Sequence, residues 1–435
     1  MCAFERSEKG MEFFMKFLKI IFILIILLSS FSHVYADDIS YEILSEEDLK
    51  NSLEVSTEAD EIPNINARHA VILDRNSLTV LYGKNENEQC KMASTTKIMT
   101  AIVVIENSNL ADKVTVSSKA AGTGGSRLGL STNDQITVED LLYGLMLCSG
   151  NDAAVALAEF VGGNVSGFAD MMNSKATSLG LVNTHFVTPH GLDNDDHYTT
   201  AYELSLLADY ALKNDIFKNI VGTKSHQISI NGNSKTLSNT NELLGNLSGV
   251  YGVKTGFTNG ANRCLVTSTK RDNLDIICVV LGCDTKKNRT QDSTKLISYA
   301  FDNFTVVDVK SMILNNFEDL KSENSNSFFI NKGCSQNLDM KLDIDSIPYS
   351  LLAVNKNNLN SINTLISCNF SFEAPVSANL QIGTLTFKIK DTEYFTLKIF
   401  NGTEVLKKNT WNYFSSFILN FSNYLQFDKP SNSFL

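Results

Sequence analysis

The sequence predicts an α/β (α+β) protein: an antiparallel sheet flanked by helices, then a small β-rich domain and an amphipathic C-terminal helix. Three observations carry this. Strand-like runs open and close the block from about 65 to 305, and helical patterns fill its middle. From about 306 Asn and Ser dominate, and the recognisable elements shrink to short strands. Near the C-terminus apolar residues return at spacings of three and four.

Taken in order, Lys16 and Lys19 precede the apolar run from Ile20 to Leu28, and Val34-Tyr35-Ala36 follows. This is the layout of an export signal, with cleavage expected after Ala36 and the working protein outside the cytoplasm. The run is shorter than the roughly 20 residues that span a bilayer. Met11 and Met15 are both candidate starts. Residues 37–64 are acidic and aperiodic, and are expected to be a mobile leader.

Residues 70–73 and 78–81 are β-type around Asp74-Arg75-Asn76-Ser77, which reads as a hairpin. Helices are expected over 94–106, 138–147, 153–160, 168–179, 200–212 and 290–301. Antiparallel strands are expected over 263–269 and 275–281. The second domain, 306–402, shows short strands at 328–330, 351–354, 385–389 and 395–399. In the tail, 403–435, Trp411, Phe414, Ile418, Phe421 and Leu425 mark one helical face, which makes it a candidate anchor at a membrane surface.

Composition narrows the class. The 435 residues are 43% hydrophobic and 20% charged, which excludes a largely disordered chain. The net charge of −11 argues against a nucleic-acid partner, which needs clustered Lys and Arg. Of eight cysteines, Cys2 would leave with the signal. No C-x-x-C occurs and several of the rest lie in apolar runs, so no disulfide framework is expected.

Three short motifs carry chemistry together. Ser94-Thr95-Thr96-Lys97 is the chain's only S-x-x-K, at an expected helix start. Three apart on a helical face, hydroxyl and amine can touch. A neutral Lys97 can take the proton of Ser94 and make its oxygen nucleophilic; a serine alone is weak. By itself the motif is weak, and a helix N-cap is the better reading of Ser94. Ser149-Gly150-Asn151 forms a polar turn between two apolar helices. There Ser149 could relay a proton, and Asn151 could hold Lys97 and a substrate amide. Lys254-Thr255-Gly256 is the only K-T-G, on a strand with Phe257. Gly256 leaves room for a substrate backbone. Lys254 adds positive charge that disfavours protonated Lys97 and attracts a substrate carboxylate. This order, S-x-x-K, S-x-N, K-T-G, is the signature of β-lactamases and penicillin-binding proteins.

The chain resembles the low-molecular-weight penicillin-binding D-alanyl-D-alanine carboxypeptidases. The resemblance rests on MASTTKIMTA, VEDLLYGLMLCSGNDAAVALAE, TPHGLDNDDHYTTAYELSLLA and GVKTGFTNGANRCLVTSTKRDNLDIICVVLG, and covers roughly 65–305. It implies a β-lactamase/transpeptidase-like domain that trims the terminal D-alanine of peptidoglycan stem pentapeptides and binds β-lactams. Ser94 would form the acyl-enzyme with Lys97 as base. The N–H groups of Ser94 and Phe257 would form the oxyanion hole. Thr255 and Arg289 would bind the terminal carboxylate; Arg289 lies 35 residues past Lys254, where the family carries such an Arg. No cofactor or metal is implied. Cys148 stands where relatives often carry another residue, with little effect expected.

Two alternatives remain at this level: a β-lactamase-like hydrolase and a catalytically inert wall-binding homologue. Class A β-lactamases need a deacylating Glu, and the region from Asn183 to His190 holds no E-x-x-L-N, so a slowly hydrolysed acyl-enzyme is expected. A zinc peptidase would have to use His185, His190 and His197 with Asp193, Asp195 and Asp196, but no H-E-x-x-H is present.

Overall fold

The computed structural model describes residue 42 and residues 44–54, 61–324 and 327–427. The export signal and the ends of the leader and tail lie outside these residues. Two compact units emerge: the first runs to Arg75 and over Val80–Asp302, and the second takes Asn76–Thr79 and the chain from Asn303.

The first unit begins with a helix where none was expected: α1, Glu46–Leu53. The leader has no apolar period, so periodicity could not find it. A side-chain cap marks its start instead. The Asp48 N–H donates to Ser45 Oγ at 3.0 Å, and the Ser45 hydroxyl donates to Asp48 Oδ2 at 2.8 Å. Glu46, Glu47 and Asp48 place negative charge at the positive end of the helix.

Strands β1 (His69–Asp74) and β2 (Val80–Lys84) pair antiparallel as the expected hairpin. Leu78 adopts a left-handed φ of 57° in the connection, so the second strand starts at Val80 rather than at Leu78. Helix α2 (Lys97–Asn107) follows, with the small β3 (Lys113–Thr115), α3 (Ser118–Ala121) and β4 (Gln135–Thr137). Next come α4 (Val138–Met146), α5 (Asn151–Gly162), α6 (Val165–Ser178), α7 (Ala201–Leu212) and α8 (Asp215–Val221). The hydroxyls of Thr137 and Thr200 cap α4 and α7, accepting from the N–H groups of Asp140 and Glu203. A hairpin of β5 (Ser225–Ile230) and β6 (Asn233–Ser238) precedes β7 (Val250–Thr258), β8 (Asn262–Arg271) and β9 (Leu274–Cys283), and α9 (Lys286–Asn303) closes the block.

The sheet order is β2-β1-β9-β8-β7, antiparallel throughout, so the first strands of the block pair with its last. β9 is buried along nearly its whole length, which its continuous Ile-Ile-Cys-Val-Val-Leu run required. Behind it, α2, α4 and α5 bury Ile98, Met99, Ile102, Leu141, Leu145, Ala154 and Leu157 in one apolar core. At the sheet's far end Arg75 donates to Asp209 at 2.9 Å, Asp275 at 3.0 Å and Tyr251 at 2.7 Å, tying β1, α7, β7 and β9 together.

The second unit holds β10 (Phe304–Asp308), α10 (Val309–Asn324), β11 (Phe329–Asn331), β12 (Met340–Leu342), β13 (Leu351–Asn355), β14 (Ile362–Cys368), β15 (Ser371–Glu373), β16 (Gln381–Ile389), β17 (Thr392–Asn401) and α11 (Thr410–Phe427). Strands β12-β17-β16-β14 form its main sheet. Helix α10 was hidden by the Asn- and Ser-rich texture. Its Val309, Ile313 and Phe317, each four apart, are buried in the unit's own core. Among the described residues no helix is long and apolar enough to cross a membrane. The seven cysteines described are all free thiols.

Candidate active site

The residues before α2 form a 3-10 turn, Ala93–Thr96, rather than the first turn of an α-helix. This matters for chemistry, because side chains three apart eclipse in a 3-10 helix. Ser94 and Lys97 are therefore stacked, with Nζ 2.5 Å from Ser94 Oγ. The turn is stitched by the hydroxyls of Thr95 and Thr96, which donate to the carbonyls of Met92 and Ala93 at 2.6 and 2.8 Å. Ala93 carries a left-handed φ of 49°, a strained conformation held immediately before the serine. Lys97 is fully buried. Around its amine stand Asn151 Oδ1 at 2.6 Å, the His190 carbonyl at 3.1 Å and Ser149 Oγ at 3.3 Å. All these oxygens are uncharged.

Ser149 occupies the turn between α4 and α5 with φ of 64°, again left-handed for a residue with a Cβ. Asn151 is fully buried; its Oδ1 is on Lys97, and its Nδ2 donates to the Gly124 carbonyl at 2.9 Å. The amide oxygen thus positions Lys97, and one of the two Nδ2 hydrogens is committed to the framework. Its neighbour Asp152, unnoticed in the sequence, accepts from the N–H groups of Leu128, Gly129 and Leu130 at 2.7–2.9 Å. That carboxylate shapes the loop carrying Ser126 to the site.

Strand β7 runs alongside the 3-10 turn. A Cβ on Gly256 would meet the backbone nitrogens of Ser94 and Thr95 at 3.1 and 3.2 Å. Glycine there admits the close approach of the Ser94 turn, and it also lines the cavity over it. This close approach brings β7 and the Ser94 amide together. Lys254, 1% exposed, donates to the Thr255 carbonyl at 2.9 Å. It stands behind the cavity wall rather than in it. The Thr255 hydroxyl faces Thr240 Oγ1 at 2.7 Å.

A cavity of about 290 Å³ opens over these residues. Ser94, Ser126 and Ser149 line one part; Thr240, Thr255, Phe257 and Arg289 line another. Arg289 lies on the first turns of α9, nearly buried, and is ion-paired to Glu242. The Thr290 hydroxyl also donates to Glu242, at 2.7 Å. Burial works against the charge of Glu242, but Arg289, Lys286 and Thr290 outweigh it and hold its carboxyl below the usual range. Thr240 and Glu242 come from a Ser-Asn-Thr-Asn-Glu stretch that reads as an ordinary loop, so no sequence signal marked them. Glu42, from the leader, also reaches the cavity. The Ser-Glu-Glu-Asp capping pattern just after it was the one available hint.

The histidine cluster is scaffolding. The Val187 N–H donates to His197 Nδ1 at 3.0 Å, which leaves Nε2–H to donate to Thr96 Oγ1 at 2.8 Å. Thus His197 braces the nucleophile turn from behind. Burial, then the neighbouring His185, pushes its pKa down to about 3. His190 is pushed down to about 3, first by burial and then by its neighbours Lys97 and His197. Asp193 accepts from Thr258 Oγ1 at 2.7 Å and the Gly260 N–H at 2.8 Å, fixing the end of β7. His185 donates to or accepts from none of these; its Nδ1 faces the Asp196 carbonyl at 2.5 Å. Asp195 lies exposed beside Lys91. The residues considered as zinc ligands are thus spread over separate structural tasks.

Comparison with known proteins agrees with this geometry. The family model described as D-alanyl-D-alanine carboxypeptidase, peptidase S11, matches residues 55–285. The chain belongs to this family. Among curated relatives, D-alanyl-D-alanine carboxypeptidase DacF of Bacillus subtilis is 34% identical over 348 residues, covering 79% of this chain and 86% of the relative. The D-alanyl-D-alanine carboxypeptidase of Streptomyces sp. strain K15 is 38% identical over 257 residues, 55% of this chain and 88% of the relative. Among solved structures, penicillin-binding protein 5 from Haemophilus influenzae superposes with a TM-score of 0.64 at 27% identity, covering 80% of this chain and 99% of that one. The Streptomyces K15 DD-transpeptidase gives 0.54 at 38%, covering 55% and 99%. The expected α+β fold with an antiparallel sheet is the fold of this S11 family member, a serine peptidase by its family.

Proposed function

We propose that the protein is a serine D-alanyl-D-alanine carboxypeptidase that removes the terminal D-alanine from peptidoglycan stem peptides through an acyl-enzyme on Ser94. One observation carries the reading: the buried Lys97 amine stands 2.5 Å from Ser94 Oγ, and Ser94 lines a cavity that Thr255 and Arg289 also line. A neutral amine has two N–H bonds and one lone pair. Asn151 Oδ1 and the His190 carbonyl take the two hydrogens, which aims the lone pair at the Ser94 hydroxyl. Ser94 Oγ attacks the carbonyl of the penultimate D-alanine as its proton passes to Lys97. The oxyanion that forms is held by the Ser94 and Phe257 N–H groups. Ser149 relays the proton to the leaving nitrogen, the C–N bond breaks, and D-alanine departs. Water then attacks the ester, its proton taken by the same amine, and Ser94 is restored.

Thr255, Thr240 and Arg289 form the carboxylate end, which makes a free C-terminus part of the substrate. A β-lactam would acylate Ser94 by the same step. Incubation with a fluorescent penicillin, followed by peptide mass mapping, is expected to label the Ser94 peptide stoichiometrically and to leave Ser94→Ala unlabelled. A folded protein that takes no label sinks the acyl-enzyme and favours the inert homologue.

We also read the protein as exported, acting at the outer face of the membrane or in the wall. Helix α11 supports a surface contact: Trp411 is 72% exposed, and Phe414, Phe417, Ile418 and Leu419 are exposed beside it. Full-length protein is expected to sediment with phosphatidylcholine vesicles and a chain truncated before Thr410 to stay in solution. Equal partitioning of both would remove the anchor.

A further inference from the structure

One charged contact in the cavity has no part in the chemistry above. The carboxylate of Glu42 accepts from the Lys286 N–H, with Oε1 at 2.9 Å and Oε2 at 3.0 Å, and Oε2 lies 2.9 Å from Arg263 Nη2. The Lys286 N–H is the first of α9, an 18-residue helix, so this end carries partial positive charge. Arg263 is fixed in advance. Its guanidinium stacks 3.8 Å from the Phe257 ring centre, its side chain is 9% exposed, and its Nε has no partner among the described residues. Both cationic elements line the same cavity as Ser94 and Arg289.

We infer that Arg263 and the Lys286 amide form a second carboxylate subsite, occupied by Glu42 in the intact chain and shaped for the side-chain carboxylate of an acidic leaving residue. The inference rests on the proposed function, which puts the leaving residue's own carboxylate on Thr255 and Arg289. D-alanine ends in a methyl group there and brings no counter-charge to Arg263; the leader supplies it. The leader is held for this task, since α1 is capped by Ser45 and tethered by Asp48 to Lys287 at 2.8 Å. In consequence Glu42 sets leaving-group specificity. By like charge and occupancy it excludes D-glutamate, while D-alanine, with no side-chain charge, does not contact it.

The test compares the exported chain with its Glu42→Gln variant on two acylated dipeptides, ending D-Ala-D-Ala and D-Ala-D-Glu. Glu42→Gln is expected to raise kcat/KM for the D-Glu peptide tenfold or more and to change that for the D-Ala peptide less than twofold. Adding Arg263→Gln to that variant is expected to cancel the gain. Calorimetric titration with free D-glutamate reads the subsite without turnover, and binding at least tenfold tighter to Glu42→Gln than to the unmodified chain is expected. Equal gains on both peptides, or no gain in either rate or binding, overturns the inference. Failure of the unmodified chain to release D-alanine from the D-Ala peptide strikes instead at the proposed function, and the titration still judges the subsite.

Discussion

Replacing Lys97 by methionine is expected to slow acylation of Ser94 by penicillin about 10³- to 10⁴-fold, the size of a lost general base acting on a serine. Methionine fills a similar volume in a fully buried position beside Ile98 and Met99, so the core keeps its packing. What disappears is the one group able to take the Ser94 proton. The Asn151 Oδ1 also loses the donor now 2.6 Å away, a buried acceptor left unpaired at a cost of about 1–3 kcal/mol. The variant should therefore melt somewhat lower and still fold. Rate constants from the time course of fluorescent labelling decide it. A variant labelled within tenfold of the unmodified rate would place the base elsewhere.

The second large effect is on stability in acid. His197 is buried and neutral, with a pKa down to about 3 against an ordinary 6.5. A base whose folded pKa is depressed binds its proton more readily when unfolded. Its contribution is therefore fully present above pH 6.5 and is lost as pH falls from 6.5 toward 3. By pH 4, two and a half units below 6.5, the loss is at most about 3.4 kcal/mol for this one imidazole, at 1.36 kcal/mol for each unit of pH in that window. His190, also depressed to about 3, acts in the same direction. Urea midpoints are expected to fall steeply between pH 6.5 and pH 4, and the fall should be shallower in His197→Asn. The acid loss has a functional face, because protonating His197 removes the acceptor for the Val187 N–H and loosens the brace behind Thr96. A flat profile over that interval would show that neither imidazole is buried neutral.

Much of this molecule was legible before folding was considered, and the misses have specific causes. The hairpin of β1 and β2, the β8–β9 pair and most helices follow from local patterns of period two or near four. The helix α1 was missed because a cap and charge, not an apolar stripe, define it. The helix α10 was missed because polar neighbours diluted three buried side chains spaced by four. Residue types at Ser94, Lys97, Ser149, Thr255 and Arg289 could be singled out, as could the hold of Asn151 on Lys97. The framework contacts of Lys254 and Gly256, to the Thr255 carbonyl and the Ser94 turn, could not, because they depend on how β7 packs against that turn.

The sequence by itself put Ser94 and Lys97 within reach of each other, three apart on one helical face, though the 3-10 turn that stacks them came only with folding. It also determined the strands and the buried helices, whose apolar spacing admits one face to the core. Only the tertiary structure decided which acceptors surround the Lys97 amine and which cations share the cavity. Ser149 and Asn151 arrive from 52 and 54 positions away, and Glu42 reaches Lys286 across 244. Contacts of that range depend on how whole elements pack. An antiparallel sheet that pairs the first strands of the block with its last brings those distant segments to one place.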